Sequence, residues 1–392
     1  MKVCFISSYP PPTIGIATYT AELCSALVKQ GVKITVLSNT GTPDNHKIRV
    51  MKAWSEKNFM YPLRLFKQVA SGNFDIIHIQ HEYWLYGRGM RSLAFLLLLA
   101  LLKFTMKPII ITMHCIVPYT KLTREFFRKH GLGVKTVFIK RLYVLLYNKL
   151  ICLFASKIIV HSTIARNVLI NDYSFKRGKV TVIYHGTCSK IYRSGTKTGK
   201  SSPILLIFGE IRRGKGIEYA INAMPYILGK FPSCTLIVAG IYDPNMSPES
   251  KGYLSELKEL VKNLDLENNV KFRVNISDEE VQTLFEETDL AIFPYIEDEI
   301  IAASGPLLTA IGYGKPIIAT SVRRFRDYIE NGINAIIVPP ADSLSLAKAI
   351  LLLLNNSVLK EKLSKSSSEL ANLFDWSKIA RKTLALYSEL IT

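Results

Sequence analysis

The chain has 392 residues, of which 48% are hydrophobic, and a formal net charge of +19 at neutral pH. This length favours two domains rather than one, and the hydrophobic content is sufficient for a substantial core in each. The composition excludes an intrinsically disordered chain, a collagen and a coiled coil.

The positive charge is concentrated in the first half of the chain. Residues 1–195 contain 28 Lys and Arg and 7 Asp and Glu, whereas the remainder contains 22 and 24. A basic half of this kind favours an anionic partner, which would be nucleic acid, lipid headgroups or a phosphorylated substrate. The alternative is a basic surface that serves only solubility.

Apolar runs alternate with helical patterns along the whole chain, which is typical of parallel α/β architecture. In the first half, strands are predicted at residues 2–7, 33–38, 76–80, 108–113, 157–161 and 180–184. The first run is typical of a strand and not of a signal peptide. Apolar residues recur at helical spacing over residues 18–30, and Gly31 is the expected C-cap of that helix.

The most apolar stretch, residues 93–102, is only ten residues long. A membrane-spanning helix needs about 20, so none is expected. The six cysteines are spread along the chain without a C-x-x-C pair. Their spacing suits neither a zinc site nor a disulfide framework, and we therefore expect a reducing compartment.

The densest positive charge lies in residues 121–157, which contain nine Lys and Arg and a single acid, Glu125. Aromatic and aliphatic residues interleave with these cations. A basic amphipathic helix of this kind is suited to an anionic membrane surface. The alternative is a helix that packs on the sheet and leaves its basic face in solvent.

A segment rich in Ser, Gly, Lys and Thr, residues 189–203, has the composition of a linker. Beyond it, strands are predicted at residues 204–208, 235–239, 270–273, 290–293, 316–320 and 335–338. We therefore predict two Rossmann-like, doubly wound domains, residues 1–188 and 204–375, that face each other across a cleft. Ligands of such sheets bind at the carboxyl ends of the strands.

Residues 376–392 follow what is already a complete second domain. Their apolar residues recur at helical spacing over positions 376–390. The helix either caps the second domain or crosses back to the first, and the pattern alone does not decide between the two.

Two loops that follow predicted strands carry residues suited to an anion. The first runs through three prolines to Gly15, ahead of a helix whose free N–H groups would attract an anion, although it lacks a dinucleotide or P-loop fingerprint. The second places Arg212, Arg213 and Lys215 beside glycines at a helix start, where they suit a diphosphate. The alternative for the second loop is an exposed basic turn.

A third loop carries three acids, Glu297, Asp298 and Glu299, ahead of Ser304 and Gly305. The carboxylates suit sugar hydroxyls, and the amides of Ser304 and Gly305 at a helix start suit a phosphate. Three acids on a loop are also commonly just solvated.

Three histidines follow predicted strands: His114, His161 and His185. Polar residues at strand ends line the cleft in this architecture. The histidines have neither H-x-x-x-H nor H-x-H spacing, so we expect no metal site. His78 lies inside a predicted strand and is interpreted as a core residue whose hydrogen bonds are satisfied.

Together these motifs resemble the GT-B-fold retaining glycosyltransferases of glycosyltransferase family 4, also called glycosyl transferases group 1. The resemblance spans nearly the whole chain, and it depends on the order and spacing of the motifs. Its carriers are the proline-rich loop with Gly15, Ile111-Thr112-Met113-His114, Val160-His161-Ser162, Val182-Ile183-Tyr184-His185-Gly186, Phe208-Gly209 to Lys215-Gly216, and Gly314-Lys315-Pro316-Ile317-Ile318-Ala319-Thr320.

The resemblance implies that the second domain binds a nucleotide-diphosphate sugar, with Lys215 on the diphosphate. It places His114 across the cleft on the transferred sugar, the Gly15 loop under the phosphates, and Ser304 and Gly305 on their other side. It also implies that the C-terminal helix returns to the first domain, that transfer retains the anomeric configuration, and that no metal or other cofactor is needed.

The chain departs from the family pattern after Gly209. Members usually carry Arg at the next position, whereas this chain has Glu210. We expect Arg212 to take the place of that arginine at the diphosphate.

A second departure concerns two glutamates that family members carry with seven residues between them. The second position is Thr309 here, which puts the usual ribose contact in doubt. The first position falls at Ile301 when counted back from Thr309, but at Asp298 when counted forward from the preceding strand. The acidic loop is therefore longer than usual, and we expect one of its three acids to contact the sugar.

The sequence thus predicts a retaining glycosyltransferase that moves a hexose from a nucleotide-diphosphate sugar to a glycan or lipid-linked acceptor. We expect a cytoplasmic protein held peripherally on the inner face of the cell membrane by its basic first domain. The alternative on the same fold is a nucleotide-sugar epimerase or a phosphorylase. No recognition motif supports nucleic-acid binding, and a nicotinamide-dependent oxidoreductase would need the glycine fingerprint.

Overall fold

The computed structural model describes residues 1–11, 15–41, 47–187, 202–244, 250–296 and 299–391. It contains two large parallel β-sheets, each with a hydrophobic core on both of its faces. The predicted fold class is confirmed. All twelve predicted strands are present, with ends within two residues of their expected positions.

The strands of the first domain are β1 (Lys2–Ile6), β2 (Lys33–Ser38), β3 (Ile48–Lys52), β4 (Ile76–His81), β5 (Ile109–Met113), β6 (Cys115–Ile116), β7 (Lys157–Val160) and β8 (Val180–Val182). All except β6 form one sheet in the order β3-β2-β1-β4-β5-β7-β8. Every residue of β4 and β5 is buried. Burial on both faces is what a parallel sheet covered by helices requires.

One strand of this sheet, β3, was not predicted. It lies at the edge of the sheet, and Arg49 and Lys52 on it are exposed. A short edge strand with charged residues lacks the continuous apolar run that identified its neighbours.

The helices of the first domain are α1 (Ile16–Val28), α2 (Tyr61–Ser71), α3 (Leu93–Lys103), α4 (Arg124–Lys129), α5 (Val137–Phe154) and α6 (Thr163–Tyr173). The predicted C-cap of α1 was wrong by two residues, since Lys29 occupies that position. Gly31 has a φ of 84°, in the left-handed region that favours glycine, and its N–H donates to the Val28 carbonyl.

The second domain repeats this plan with strands β9 (Ile204–Phe208), β10 (Thr235–Gly240), β11 (Val270–Val274), β12 (Leu290–Phe293), β13 (Ile301–Ala302), β14 (Ile317–Thr320) and β15 (Ala335–Val338). Its helices are α7 (Ile217–Leu228), α8 (Tyr253–Asn263), α9 (Asp278–Glu287), α10 (Gly305–Gly312), α11 (Ser343–Asn355) and α12 (Ser357–Leu373). All strands except β13 form one sheet in the order β11-β10-β9-β12-β14-β15. The strand order reverses beside β1 and β9, where doubly wound sheets bind their ligands.

The two domains are joined by a short antiparallel ladder. β6 follows the first sheet and β13 follows the acidic loop of the second domain, and the two pair with Ile116 opposite Ile301. The Ile301 side chain is buried in the core of the first domain. The longer acidic loop of this chain therefore continues into a strand that contacts the other domain.

The last helix, α13 (Trp376–Ile391), crosses back to the first domain and packs on α1. Trp376 and Tyr387 join the core that contains Val3 and Phe5. The Tyr387 hydroxyl lies 2.5 Å from Nδ1 of His78, which is fully buried. The implied return of this helix is confirmed, and so is the interpretation of His78 as a satisfied core residue.

Most of the predicted linker at 189–203 lies outside the described residues, so the domain boundaries stay a prediction. In the part of the chain that the structure describes, no single helix is long and apolar enough to cross a membrane. α11 and α12 reach that length and apolarity only as a pair, and the pair is bent by 99°.

Candidate active site

Lys215 lies in the loop between β9 and α7, at the carboxyl edge of the second sheet. Its side chain is buried, and Nζ lies 4.0 Å from the centre of the Tyr295 ring, which follows β12. Gly216 allows this packing, because a Cβ at that position would lie 1.9 Å from the carbonyl oxygen of Pro294. A cation that rests on an aromatic face is positioned there without being neutralised.

The two arginines of this loop bind different neighbours. Arg212 Nε donates to the Glu210 carboxylate at 3.1 Å. Arg213 instead binds the Glu256 carboxylate and lies over the Tyr253 ring, both on α8. Glu210, the residue that departs from the family pattern, therefore orients Arg212, while Arg213 is held by α8.

A third cation, Arg324, reaches the same place from the turn after β14. Its guanidinium lies 5.8 Å from the centre of the Tyr295 ring and donates to the Ile300 carbonyl at 3.3 Å. Burial lowers the pKa of Lys215, and the positive charges of Arg212 and Arg324 lower it further. Arg324 was not predicted, because it lies outside the loops that carry the motifs.

The Tyr295 hydroxyl is buried and has no hydrogen-bond partner within the described residues. Lys215 and Ser304 lie close to it without hydrogen-bond geometry. Burial alone would raise the pKa of this phenol. The positive charges of Lys215 and Arg324 outweigh that effect, and the pKa lies below its usual value. An unpaired buried hydroxyl costs free energy unless a ligand satisfies it, so it favours an incoming acceptor such as a phosphate oxygen.

Helix α10 begins at Gly305, beside these cations. Ser304 is its N-cap: Oγ accepts from the Leu307 N–H at 3.4 Å, and the residue is buried. Pro306 packs on Gly209, where a Cβ would lie 2.8 Å from the proline ring. The first turn of α10 thus lies against the β9 loop, as phosphate binding by Ser304 and Gly305 would require. That role stays a prediction.

The structure describes one of the three acids predicted to contact the sugar. Glu299 forms an ion pair with Lys129 of α4 at 3.2 Å. This ion pair joins the two domains. The Glu299 carboxylate therefore binds a lysine of the first domain rather than a cation of the β9 loop. Glu297 and Asp298 lie outside the described residues, and their role stays a prediction.

Counted back from Thr309, the two positions of the family glutamates are Ile301 and Thr309, and both side chains contact other protein groups here. The other position obtained for the first glutamate, Asp298, lies outside the described residues. Ile301 packs in the core of the first domain and forms part of β13. Thr309 donates its hydroxyl hydrogen to the Gly305 carbonyl within α10. Only the oxygen lone pairs of Thr309 therefore remain for a ligand.

On the first domain, the three histidines at strand ends come together around Tyr19 of α1. The centre of the Tyr19 ring lies 4.7 Å from that of His114 and 5.0 Å from those of His161 and His185. His114 Nδ1 lies 3.2 Å from His161 Nε2, within hydrogen-bond reach. Tyr19 was not recognised in the sequence, because nothing in the α1 pattern distinguishes it from a core residue.

Gln80 and a backbone carbonyl contact the outer ring nitrogens of these two histidines. Gln80 Oε1 lies 2.8 Å from His114 Nε2, and the Ile183 carbonyl lies 2.9 Å from His161 Nδ1. Burial lowers the pKa of His161 to about 3 and the pKa of His114 well below its usual value, with nearby histidines adding to both. Both rings are neutral at physiological pH. Contact between His114 Nε2 and a sugar hydroxyl would require that hydroxyl to replace Gln80.

Gly15 is the N-cap of α1 and has a φ of 55°. It is exposed, and no atom lies within 4 Å of the position that a Cβ would take. The glycine is therefore needed for its backbone conformation, and the space beside it is open. Gly15 precedes Tyr19 by one helical turn, so its loop and the histidines share one edge of the first sheet.

Glu82, a carboxylate that was not predicted, follows β4 directly and is open to solvent on one side. Desolvation by the surrounding protein, together with the negative charge of Glu210 in the second domain, raises its pKa to about 7. A carboxyl group of the first domain that titrates near neutral pH thus lies within electrostatic reach of the β9 loop.

Among the described residues, no group of three or more His, Cys, Asp or Glu could hold a metal ion. The expectation that no metal or other cofactor is needed stays a prediction. No disulfide joins the described cysteines, which are Cys4, Cys24, Cys115, Cys152 and Cys234.

Both halves of the chain match models of known protein families. The model described as Glycosyltransferase Family 4 matches residues 14–188, and the model described as Glycosyl transferases group 1 matches residues 190–370. The chain belongs to these GT-B glycosyltransferases. The resemblance seen in the motifs is confirmed at this level, and retention of configuration stays a prediction.

Several curated glycosyltransferases are each similar to part of this chain. Phosphatidyl-myo-inositol mannosyltransferase of Mycobacterium leprae is 26% identical over 196 residues, which is 50% of this chain and 48% of that protein. Mannosylfructose-phosphate synthase of Agrobacterium fabrum is 25% identical over 239 residues, or 58% of this chain and 52% of that protein. The chain spans about half the length of the curated relatives that it matches.

A solved structure supports the fold over the whole chain. Anabaena HepE in complex with UDP aligns over 100% of both chains with a TM-score of 0.71 and 18% sequence identity. At that identity the likeness shows the GT-B fold of this glycosyltransferase and nothing about its substrates.

Proposed function

We propose that this protein is a retaining glycosyltransferase that moves a hexose from a nucleotide-diphosphate sugar to a glycan or lipid-linked acceptor. The observation that carries the proposal is the convergence of Arg212 and Arg324 on Lys215, which lies over the Tyr295 ring beside the N-terminus of α10. Arginine forks, a lysine charge and helix N–H groups together favour a diphosphate. The Anabaena HepE complex holds UDP, a diphosphate of this class.

The leaving group gains negative charge as the bond between sugar and diphosphate breaks. Cations already in place stabilise that charge without reorganising, which is the largest contribution that such sites make to catalysis. We propose that the acceptor attacks from the face on which the diphosphate departs, so configuration is retained, and that a phosphate oxygen takes the acceptor's proton. Closure of the cleft would exclude competing water.

The test removes the cations one at a time. Arg212→Ala and Lys215→Ala should each lower kcat/KM for transfer by about 10²- to 10³-fold, because each removes charge stabilisation at the leaving group. Arg213→Ala is the matched control in the same loop and should remain close to the wild type, since Arg213 is held by Glu256 on α8. Initial rates with labelled nucleotide sugars measure activity, and thermal unfolding verifies that each variant folds.

Full activity of both Arg212→Ala and Lys215→Ala would overturn the proposal. Conversion of the labelled donor to an isomer without any acceptor would point instead to an epimerase. A requirement for inorganic phosphate as co-substrate would indicate a phosphorylase.

The acceptor side of the proposal depends on the basic first domain. The exposed apolar residues of α5 are Phe138, Ile139, Leu142, Leu146 and Leu153. Tyr147 and Ile151 face the core, so the helix presents an apolar outer face among cations. An apolar face is not explained by a solvated basic helix alone, and it suits a helix at the boundary of an anionic membrane.

We therefore propose a peripheral position on the cytoplasmic face of the cell membrane, with an acceptor that is itself anchored there, and no nucleic-acid partner. The Mycobacterium leprae relative takes its name from a phosphatidylinositol lipid, a substrate of this kind. The free thiols of the described cysteines suit a reducing compartment.

A further inference from the structure

A cavity of about 230 Å³ lies inside the first domain, between α4, α5 and the segment that follows β4. The proposed donor site does not use it. Its walls are largely aromatic and aliphatic, and they include Trp84, Leu122, Phe127, Leu132, Val144 and Tyr147.

The lysine and the hydroxyl groups of the cavity wall are paired with other protein groups. Lys140 Nζ donates to the carbonyls of Leu132 and Gly133, at 2.5 and 2.7 Å. The hydroxyls of Ser92 and Tyr143 lie 2.5 Å apart and bond to each other. A ligand of this cavity therefore meets apolar surface, and a polar ligand would lose its hydration without compensation.

The cavity lies between the outer face of α5 and the cleft. Val144 and Tyr147 line it from α5, whose opposite side carries Leu146 and the other exposed apolar residues. At the other end, Val117 follows β6 directly, and its cluster packs against Ile300 of the acidic loop. A chain bound here would pass from the membrane side of the domain towards the interdomain ladder.

We propose that this cavity binds a hydrocarbon chain of a membrane-anchored acceptor. The inference rests on the proposed function, and it names the part of the acceptor that the first domain recognises. The volume is below the roughly 300–1,000 Å³ of pockets for drug-sized ligands, so it suits one narrow chain. The basic surface around α5 complements the anionic headgroups among which such a chain is found.

Alkyl β-D-glucosides with chains of four to ten carbons, used below their critical micelle concentrations, test the proposal on the full chain. Trp84 in the wall reports binding through its fluorescence, and Trp84→Phe verifies the source of the signal. Each added methylene should lower Kd about fourfold, corresponding to about 0.8 kcal/mol per buried CH₂, until the cavity is full and Kd levels off.

Two filling variants and one control locate the binding. Val144→Phe places a ring in the cavity and should raise Kd of the longest glucoside at least tenfold. Leu146→Phe places the same ring on the outer face of the same helix and should leave Kd within twofold of the wild type. Leu132→Trp fills the cavity from a partly exposed loop position. It therefore replaces Val144→Phe in the test if that variant does not fold.

A Kd that is independent of chain length, or equal effects of Val144→Phe and Leu146→Phe, would overturn the proposal. Tighter binding of phenyl than of hexyl glucoside would also overturn it, in favour of an aromatic ligand. UDP binding, measured separately by calorimetry, reports on the proposed function. If the protein binds the alkyl glucosides but not UDP, the proposed donor site is wrong and the hydrocarbon site is still supported.

Discussion

The side chains of the proposed donor site come from separate parts of the chain. Arg212 and Lys215 were predicted, because they lie in one loop between a strand and a helix. Arg324 lies more than 100 residues later, and Tyr295 lies between them. Their convergence follows from the neighbouring positions of β9, β12 and β14 in the sheet. Local spacing in a sequence carries no information about that order.

Arg324 offers a test at the level of a single residue. Arg324→Ala should weaken UDP binding at least about tenfold, since a hydrogen bond from a charged group contributes about 1.5–3 kcal/mol. Arg326→Ala, two residues later and exposed, should bind UDP like the wild type. Isothermal titration calorimetry measures both, and equal affinities of the two variants would exclude Arg324 from the donor site.

Three fully buried histidines make stability depend on pH. Burial lowers the pKa values of His78, His81 and His161 to about 3, whereas each histidine titrates near 6.5 in the unfolded chain. Below pH 6.5 the unfolded state therefore binds more protons than the folded state. The stability that these three histidines contribute is fully present above pH 6.5, and it should fall by up to about 4 kcal/mol per pH unit as the pH drops towards 4.5.

His81→Gln isolates one of these three protons. Its unfolding free energy should fall less steeply between pH 6 and 4.5, by about 1.4 kcal/mol per pH unit relative to the wild type. Urea unfolding at a series of pH values gives both slopes, and comparing slopes removes any constant cost of the substitution. Identical slopes would show that His81 has the same pKa in the folded and the unfolded protein.

Among the elements, strand length and apolarity account for most of what was predicted and what was missed. Most of the twelve predicted strands are largely apolar, whereas β3 carries exposed charges and β6 and β13 have two residues each. The edge strand β11 was predicted although Lys271 and Arg273 on it are exposed. For α13 the helical pattern identified one buried face. It did not identify the domain that covers this face, because Trp376 and Tyr387 would be buried equally well against either.

The contact between α13 and β4 gives a prediction at this scale. Tyr387→Phe removes the hydroxyl that pairs with His78 Nδ1 and leaves that buried nitrogen without a partner. The free energy of unfolding should fall by about 1–3 kcal/mol. Lys382→Ala, exposed on the same helix, should change it by less than about 0.5 kcal/mol. Urea titration compares them, and equal stabilities would mean that the helix does not depend on this bond.

At the scale of the whole molecule, charge and exposed apolar surface coincide in one domain. The first half carries all of the excess positive charge, and the apolar outer face of α5 lies within it. The composition predicted the location of the charge. The direction in which the apolar residues of α5 point required the structure, since Phe138 and Tyr147 are equally apolar in the sequence.

Binding to vesicles tests this coincidence. The protein should co-sediment with phosphatidylglycerol vesicles and much less with phosphatidylcholine vesicles, and high salt should weaken the binding because it shortens the Debye length from about 10 Å at 0.1 M to 3 Å at 1 M. Phe138→Glu should reduce the bound fraction. Val358→Glu changes an equally exposed apolar residue of the second domain and should not. Equal binding of both variants would contradict a membrane role for α5.

The return of α13 also sets the order in which the protein matures on the ribosome. Val3 and Phe5 are translated among the first residues, yet the helix that covers them is made after the entire second domain. At about 5–20 residues per second, this delay is roughly 20–80 s. During that time one face of the first sheet is uncovered and His78 lacks the Tyr387 hydroxyl. A nascent first domain is therefore a natural client for a chaperone, and a chain terminated early would expose that face permanently.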